Sequence, residues 1–239
     1  MAAAMVSVAA VASPFLVHFR HNDMRDYWFA RDYGENLART LAENAVYFGS
    51  GDHTLFPLAY LQIVEGRRPD ILIANTYGYP VPEAWAGMDP ETTADFDRMP
   101  SRDEEAVVFA WWLDQSDRPV YSVDPRPPGS RRRVNEGLLY RYLRTGEEPG
   151  AGLWDAYEWH TLAPAAARGD WTAELVLHEF YLARGRDRID AGDVASGLAD
   201  IATAARLARD NGETLNNVGA LLARRELYGP AEAYLRRAV

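Results

Sequence analysis

The sequence predicts an α/β fold, a small and mostly parallel Rossmann-like sheet with helices, followed by an all-α tetratricopeptide-like helical segment. Three observations predict it. Short apolar strands alternate with helical-period segments between residues 26 and 123, strand-like runs disappear after residue 150, and small residues recur at an interval of thirty-four near the end of the chain.

The elements follow in order. Residues 26–41 place Phe29, Ala30, Tyr33, Leu37 and Leu41 at helical spacing. Asn44 breaks that helix, and 45–48 read as a first buried strand. Residues 53–65 form a second helix carrying Leu55, Leu58, Ala59, Leu61 and Ile63, with Gly66 as a natural stop. The run DILIAN at 70–75 is the continuous apolar stretch expected of a central parallel strand, which completes a strand-helix-strand unit.

Residues 77–100, rich in Pro, Gly, Asp and Glu, read as a loop long enough to be functional. A helix at 104–112 and a short strand at 118–123 repeat the order of the first unit. Residues 125–133 read as another loop and 137–143 as a strand or a short amphipathic run. Glu147-Glu148-Pro149-Gly150 marks a boundary, so the α/β domain is assigned to 20–150 and the helical domain to 151–239. In the latter, Val218, Gly219, Leu222, Ala231, Leu235 and Ala238 occupy the packing positions of a tetratricopeptide repeat. Gly185, Gly197, Ile201 and Ala204 repeat them thirty-four residues earlier, although Arg188 stands where a large apolar residue is expected. Stacked repeats need several neighbours, so the array is expected to continue beyond this sequence.

Composition narrows the function classes. The 239 residues carry a net charge of −10, and all 25 basic residues are arginine. An acidic chain whose one tight basic cluster is Arg131-Arg132-Arg133 is a poor partner for nucleic acid. Without lysine there is neither a Schiff-base lysine nor a P-loop lysine. Without cysteine there are no disulfides, thiolate nucleophiles or cysteine zinc sites.

The strongest candidate ligand site is the turn Gly49, Ser50, Gly51, Asp52 and His53 between the first strand and the second helix. Open α/β sheets bind ligands at the carboxyl ends of their strands, and two glycines would let backbone N–H groups face an anion. Asp52 is also the expected N-cap of the helix, which would satisfy the same groups. The turn is neither a dinucleotide fingerprint nor a nucleophile elbow, and no cofactor is expected. His21, Asp23, Asp26, His53 and Asp70 have no recognised metal-ligand spacing, so no metal is expected either. His160 reads as a satisfied histidine, and His178, in a helix beside Glu179, as exposed or packed. Trp111-Trp112 and Trp154/Trp159 are platforms for a sugar ring or a partner if exposed, and core if not. No Ser-His-Asp or paired-carboxylate arrangement emerges from spacing.

The string from 31 to 75 resembles a family of bacterial multi-spanning membrane proteins whose animal relative is a protein O-mannosyltransferase with carboxyl-terminal tetratricopeptide repeats. Tyr33, Asn36, Gly51, Asp52, Phe56, Pro57, Leu58, Tyr60, Leu61, Gln62, Glu65, Gly66, Arg68, Pro69 and Asp70 match its pattern. His53, Thr54 and Leu55 stand where that family has Asn, Asp and Thr. EGLLYRYL at 136–143 is similar to a further family segment.

The nearly uncharged run at 1–19 has three readings on pattern alone: a disordered or buried leader, a weak signal peptide, or the end of a membrane helix. The resemblance favours the last. It further implies an extracytoplasmic region of a membrane glycosyltransferase-like protein, with the transfer chemistry in the membrane part. This region would position an acceptor polypeptide on the helical repeats or support the membrane part, and would not be catalytic alone. The alternatives are a stand-alone enzyme with its site at Gly49–His53, or a peptide-binding interaction module.

Overall fold

The computed structural model describes residues 27–74, 88–94, 101–150, 153–160, 169–208 and 211–239, together with Ser13, Asp23 and Arg25. The apolar run at 1–19, apart from Ser13, and most of the 77–100 loop lie outside them. Among the described residues, no helix is long and apolar enough to cross a membrane.

The first half builds α1 (Phe29–Thr40), β1 (Val46–Phe48), α2 (Asp52–Ile63), β2 (Leu72–Ala74), the single turn α3 (Pro90–Thr93), α4 (Ser101–Gln115) and β3 (Val120–Ser122). A hairpin of β4 (Arg132–Glu136) and β5 (Leu139–Leu143) follows, then the short α5 (Leu153–Ala156). Four longer helices complete the chain: α6 (Trp171–Asp190), α7 (Val194–Leu207), α8 (Gly212–Ala223) and α9 (Tyr228–Arg237).

The five strands form one sheet in the order β2-β1-β3-β5-β4. β1 pairs in parallel with β2 and β3, as the two strand-helix-strand units require, whereas β5 runs antiparallel to both β3 and β4. The fold is therefore α/β with a mixed sheet, not a mostly parallel one. The cause is local: Glu136 and Leu139 pair across the two-residue loop Gly137-Leu138, and a loop of that length joins only antiparallel strands. Gly137, at φ +60°, supplies the positive φ that the first central position of a type II′ turn needs. The loop expected at 125–133 accordingly ends early, because Arg132 and Arg133 already pair with Leu143 and Tyr142.

Alternate strand residues serve two cores. Tyr47, Ile73 and Tyr121 pack with α1, α2 and the inner face of α6 (Ala173, Val176, Leu177). Val46, Phe48, Ala74, Val120 and Tyr142 pack with Val108, Phe109, Trp112 and Leu113 of α4 on the other face. A third cluster (Ile189, Ile201, Val218, Leu221, Leu222, Ala231) joins the terminal helices. The hydrophobic layer over the sheet thus extends into α6, beyond the Glu147–Gly150 stretch.

The terminal helices form two closely packed pairs. A Cβ on Gly185 would lie 2.8 Å from the Gly197 carbonyl oxygen, and one on Gly197 would lie 2.7 Å from that of Gly185. In the second pair a Cβ on Gly219 would meet Leu235 and the Ala231 carbonyl. These contacts recur at the thirty-four-residue interval. Arg188 joins Arg184 in binding the buried Asp200 carboxylate, at 2.8 and 2.7 Å.

Candidate ligand site at the switch point of the sheet

β1 lies between β2 and β3, so the chain leaves β1 towards one neighbour and later returns to the other. The carboxyl ends of β1 and β3 border a topological switch point, where open α/β sheets leave a crevice. The turn 49–53 sits there.

Its backbone is dictated by its glycines. Gly51 has φ 76° and ψ 168°, a conformation that is essentially glycine's alone. A Cβ on Gly49 would come within 2.5 Å of Leu55. Gly51, not Asp52, is the N-cap, and no side chain caps α2. Asp52 is instead the exposed first residue of the helix, interacting with the helix dipole without holding its N–H groups. Thr54 locks the turn from inside: its hydroxyl accepts from the Ser50 N–H at 2.7 Å, and its carbonyl accepts from the buried Tyr47 hydroxyl at 3.1 Å. Thr54 and Leu55, two of the three departures from the family pattern, are therefore structural residues.

Two cavities flank the turn. A cavity of about 250 Å³ lies at the switch point, lined by Tyr33, Ser50, His53 and Thr54, by Val123 and Asp124 after β3, and by Glu179 and Arg186 of α6, among others. An open cleft of about 950 Å³ lies on the other side, between α1, α2 and the start of α6. Its walls include Gly51, Asp52 and His53 and four partly exposed aromatics: Trp28 (46%), Phe56 (43%), Tyr60 (48%) and Trp171 (68%). Tyr33 and His53 line both cavities. Burial pushes the Tyr33 phenol well above its ordinary range, and Tyr47, Glu179 and Asp124 push it the same way. Tyr33 consequently stays protonated and can donate a hydrogen bond.

Several motif residues serve architecture. Arg68, in the left-handed region at φ 49°, donates to the carbonyls of Ala38, Leu41 and Ala42 at the end of α1 and is held by Asp70. Gln62 donates to the carbonyls of Arg68 and Ile71, both at 2.7 Å. Arg68 and the Asn44 N–H pull the Asp70 carboxyl down to about 2. Asn36 clasps the backbone of Glu158, and the buried Asp32 binds the His160 backbone N–H at 2.7 Å, with the His160 Nδ1 2.9 Å away. Among the described residues no group of three or more His, Cys, Asp or Glu side chains is arranged to hold a metal ion.

Residues 30–79 match the family model described as TMEM260-associated domain 2. No curated protein and no solved structure matches the chain. The matched segment contains α1 from its second residue, β1, the turn, α2 and β2, and covers the 31–75 string, consistent with a TMEM260-related family.

Sequence reasoning placed the turn but missed the aromatics beside it. Trp112 of α4 is buried in the core on the sheet's second face with Trp111 edge-on to it, and Trp154 and Trp159 pack edge-on against the buried Phe180, so none of these is a free platform. Among the described residues Trp28 and Trp171 are the exposed tryptophans. The legible signal was α2 itself, which is apolar around its circumference and so exceeds what one core face can cover.

A third concavity of about 570 Å³ runs between α6 and α8. It is lined by Trp171, Glu174, His178, Glu179, Glu213 and Asn217, among others. His178 is held by the Ala204 carbonyl, its Nδ1 at 2.9 Å.

Proposed function

We propose that the chain is an extracytoplasmic, non-catalytic region of a glycosyltransferase-like membrane protein related to O-mannosyltransferases, and that it positions an acceptor polypeptide. On this reading residues 20–150 form a Rossmann-like support and 151–239 a tetratricopeptide-like binding unit. The membrane part of the same protein is its other partner. The family match supports the context, and the groove between α6 and α8 carries the proposed role. Its largely apolar lining (Leu175, Leu182, Leu207 and Val218) with the carboxylates of Glu174, Glu179 and Glu213 suits the apolar and cationic side chains of an extended peptide, as one face of stacked helix pairs commonly does.

Fluorescence anisotropy of the full chain with an extended Arg- and Ser/Thr-containing peptide tests it. Saturable binding is expected, weakened about fivefold by Glu179→Gln with Glu213→Gln, the size expected for two rim charges. No saturation at millimolar peptide overturns the reading.

The cavity at the switch point favours a second reading, a small-molecule site built from Gly49, Ser50, Gly51, Asp52 and His53 with Tyr33. A thermal-shift screen of small polar compounds, repeated with His53→Ala, tests it. A hit that survives the substitution argues against this site.

A further inference from the structure

We propose that the aromatic cleft and the outer stripe of α2 form a face that lies on the surface of a lipid bilayer. The proposal rests on the membrane-protein context above but not on the peptide groove.

The face is built from helical spacing. Thr54, Leu55, Leu58, Ala59 and Leu61 turn inward, whereas Phe56, Tyr60, Ile63 and Val64, at positions i, i+4, i+7 and i+8, turn outward. Ile63 and Val64 are 60% and 65% exposed at the far end of the stripe from the turn. Trp28 and Trp171 extend the patch across the cleft. Single exposed apolar residues are ordinary, but a contiguous set of six that includes two tryptophans marks an interaction surface.

Three features select lipid as the occupant. Trp and Tyr with aliphatic neighbours make up the composition that collects at the membrane–water boundary, where an apolar ring body meets a polar edge. The cations on this side are arginines that can reach the headgroup level: Arg31 lies over the Trp28 ring, and Arg31 and Arg67 are partly exposed in ion pairs with Glu35 and Glu65. The third feature is tethering. The nineteen-residue apolar run ends at Phe19, and the fold enters the cleft wall at Tyr27, eight residues on. Eight extended residues span at most about 28 Å, so a run inserted in lipid keeps this face close to the bilayer. The net charge of −10 makes zwitterionic lipid the preferred surface.

The absence of native cysteine allows a direct test. Single-cysteine variants of the full chain, Tyr60→Cys, Ile63→Cys and, as a control on exposed β4, Arg132→Cys, are labelled with a polarity-sensitive dye. They are then mixed with phosphatidylcholine vesicles, with and without brominated lipid. The dyes at 60 and 63 are expected to shift to the blue and to be quenched by bromine, while the dye at 132 does neither. Phe56→Asp with Ile63→Asp should lower vesicle partition about tenfold and leave peptide binding in the α6–α8 groove unchanged.

The proposal is overturned if the chain pellets with vesicles while positions 60 and 63 remain as wet as 132, since the apolar run alone would then account for binding. Failure to bind vesicles also overturns it. A blue shift that depends on protein concentration without lipid assigns the face to a second copy of the chain instead. Loss of peptide binding with the lipid response intact would sink the groove reading and leave this one standing.

Discussion

Asn36 holds the backbone of Glu158 with both ends of its amide: Nδ2 donates to the Glu158 carbonyl at 2.9 Å, and Oδ1 accepts from the Glu158 N–H at 3.1 Å. One buried side chain on α1 thereby does for the segment 157–160 what a neighbouring strand would do. Thr40 one turn later bonds the Tyr157 hydroxyl at 2.7 Å, and Asp32 one turn earlier takes the His160 N–H. Asn36→Ala leaves two backbone groups without partners and should cost about 2–3 kcal/mol, read as a lower urea midpoint with an unchanged slope. A loss under about 0.5 kcal/mol would show that water replaces the amide freely.

Tyr157 connects that segment to the hairpin. Its hydroxyl accepts from the Leu138 N–H at 3.1 Å, and a Cβ at position 137 would sit 1.9 Å from it. Gly137→Ala combines this clash with a positive φ and should destabilise by more than about 3 kcal/mol. Urea denaturation of this variant checks it.

Burial pushes the Tyr157 phenol up to about 12. The folded state therefore holds this proton more tightly than the unfolded chain, and its contribution, complete below about pH 10, is lost as pH rises towards 12. Urea midpoints between pH 9 and 11.5 should fall more steeply in the wild type than in Tyr157→Phe. Parallel curves would disprove the assignment.

Asp70 works in the opposite direction. Its carboxyl is held down to about 2 by Arg68 and the Asn44 N–H, so its contribution is full above about pH 4 and is lost as pH falls towards 2. Asp70→Asn should flatten the acid limb of the stability profile over that window. An acid limb identical to that of the wild type would mean that Arg68 is held by the α1 carbonyls alone.

Asp200 is buried between Arg184 and Arg188. Asp200→Ala leaves the partly buried Arg184 and the more exposed Arg188 without their shared partner at the α6–α7 crossing and should cost about 1.5–3 kcal/mol, less than a fully buried pair because water reaches both guanidinium groups. Asp52→Ala, at an exposed helix start with no capping bond, should cost only about 0.3–1 kcal/mol. Thermal denaturation of the two variants side by side checks the contrast.

Local decisions are legible in the order of residues alone: the strands at 45–48, 70–75 and 118–123, the helices between them, and the glycine turn at 49–53. These follow from apolar periodicity and glycine placement within a few residues of one another. The thirty-four-residue recurrence was legible for the same reason, since a helix crossing tolerates only small side chains at Gly185 and Gly197. The tertiary structure alone decided what each side chain faces. The hairpin at Gly137 turned the second half of the sheet antiparallel, and Phe180 drew Trp154 and Trp159 inward. The burial of one side of α2 left Phe56, Tyr60 and Ile63 outside, and the fold brought Tyr33 of α1 and Glu179 of α6 to the turn beside His53. Periodicity records which positions share a face of one element, but a cavity is made by faces of several elements meeting, and that depends on contacts between residues distant in the chain.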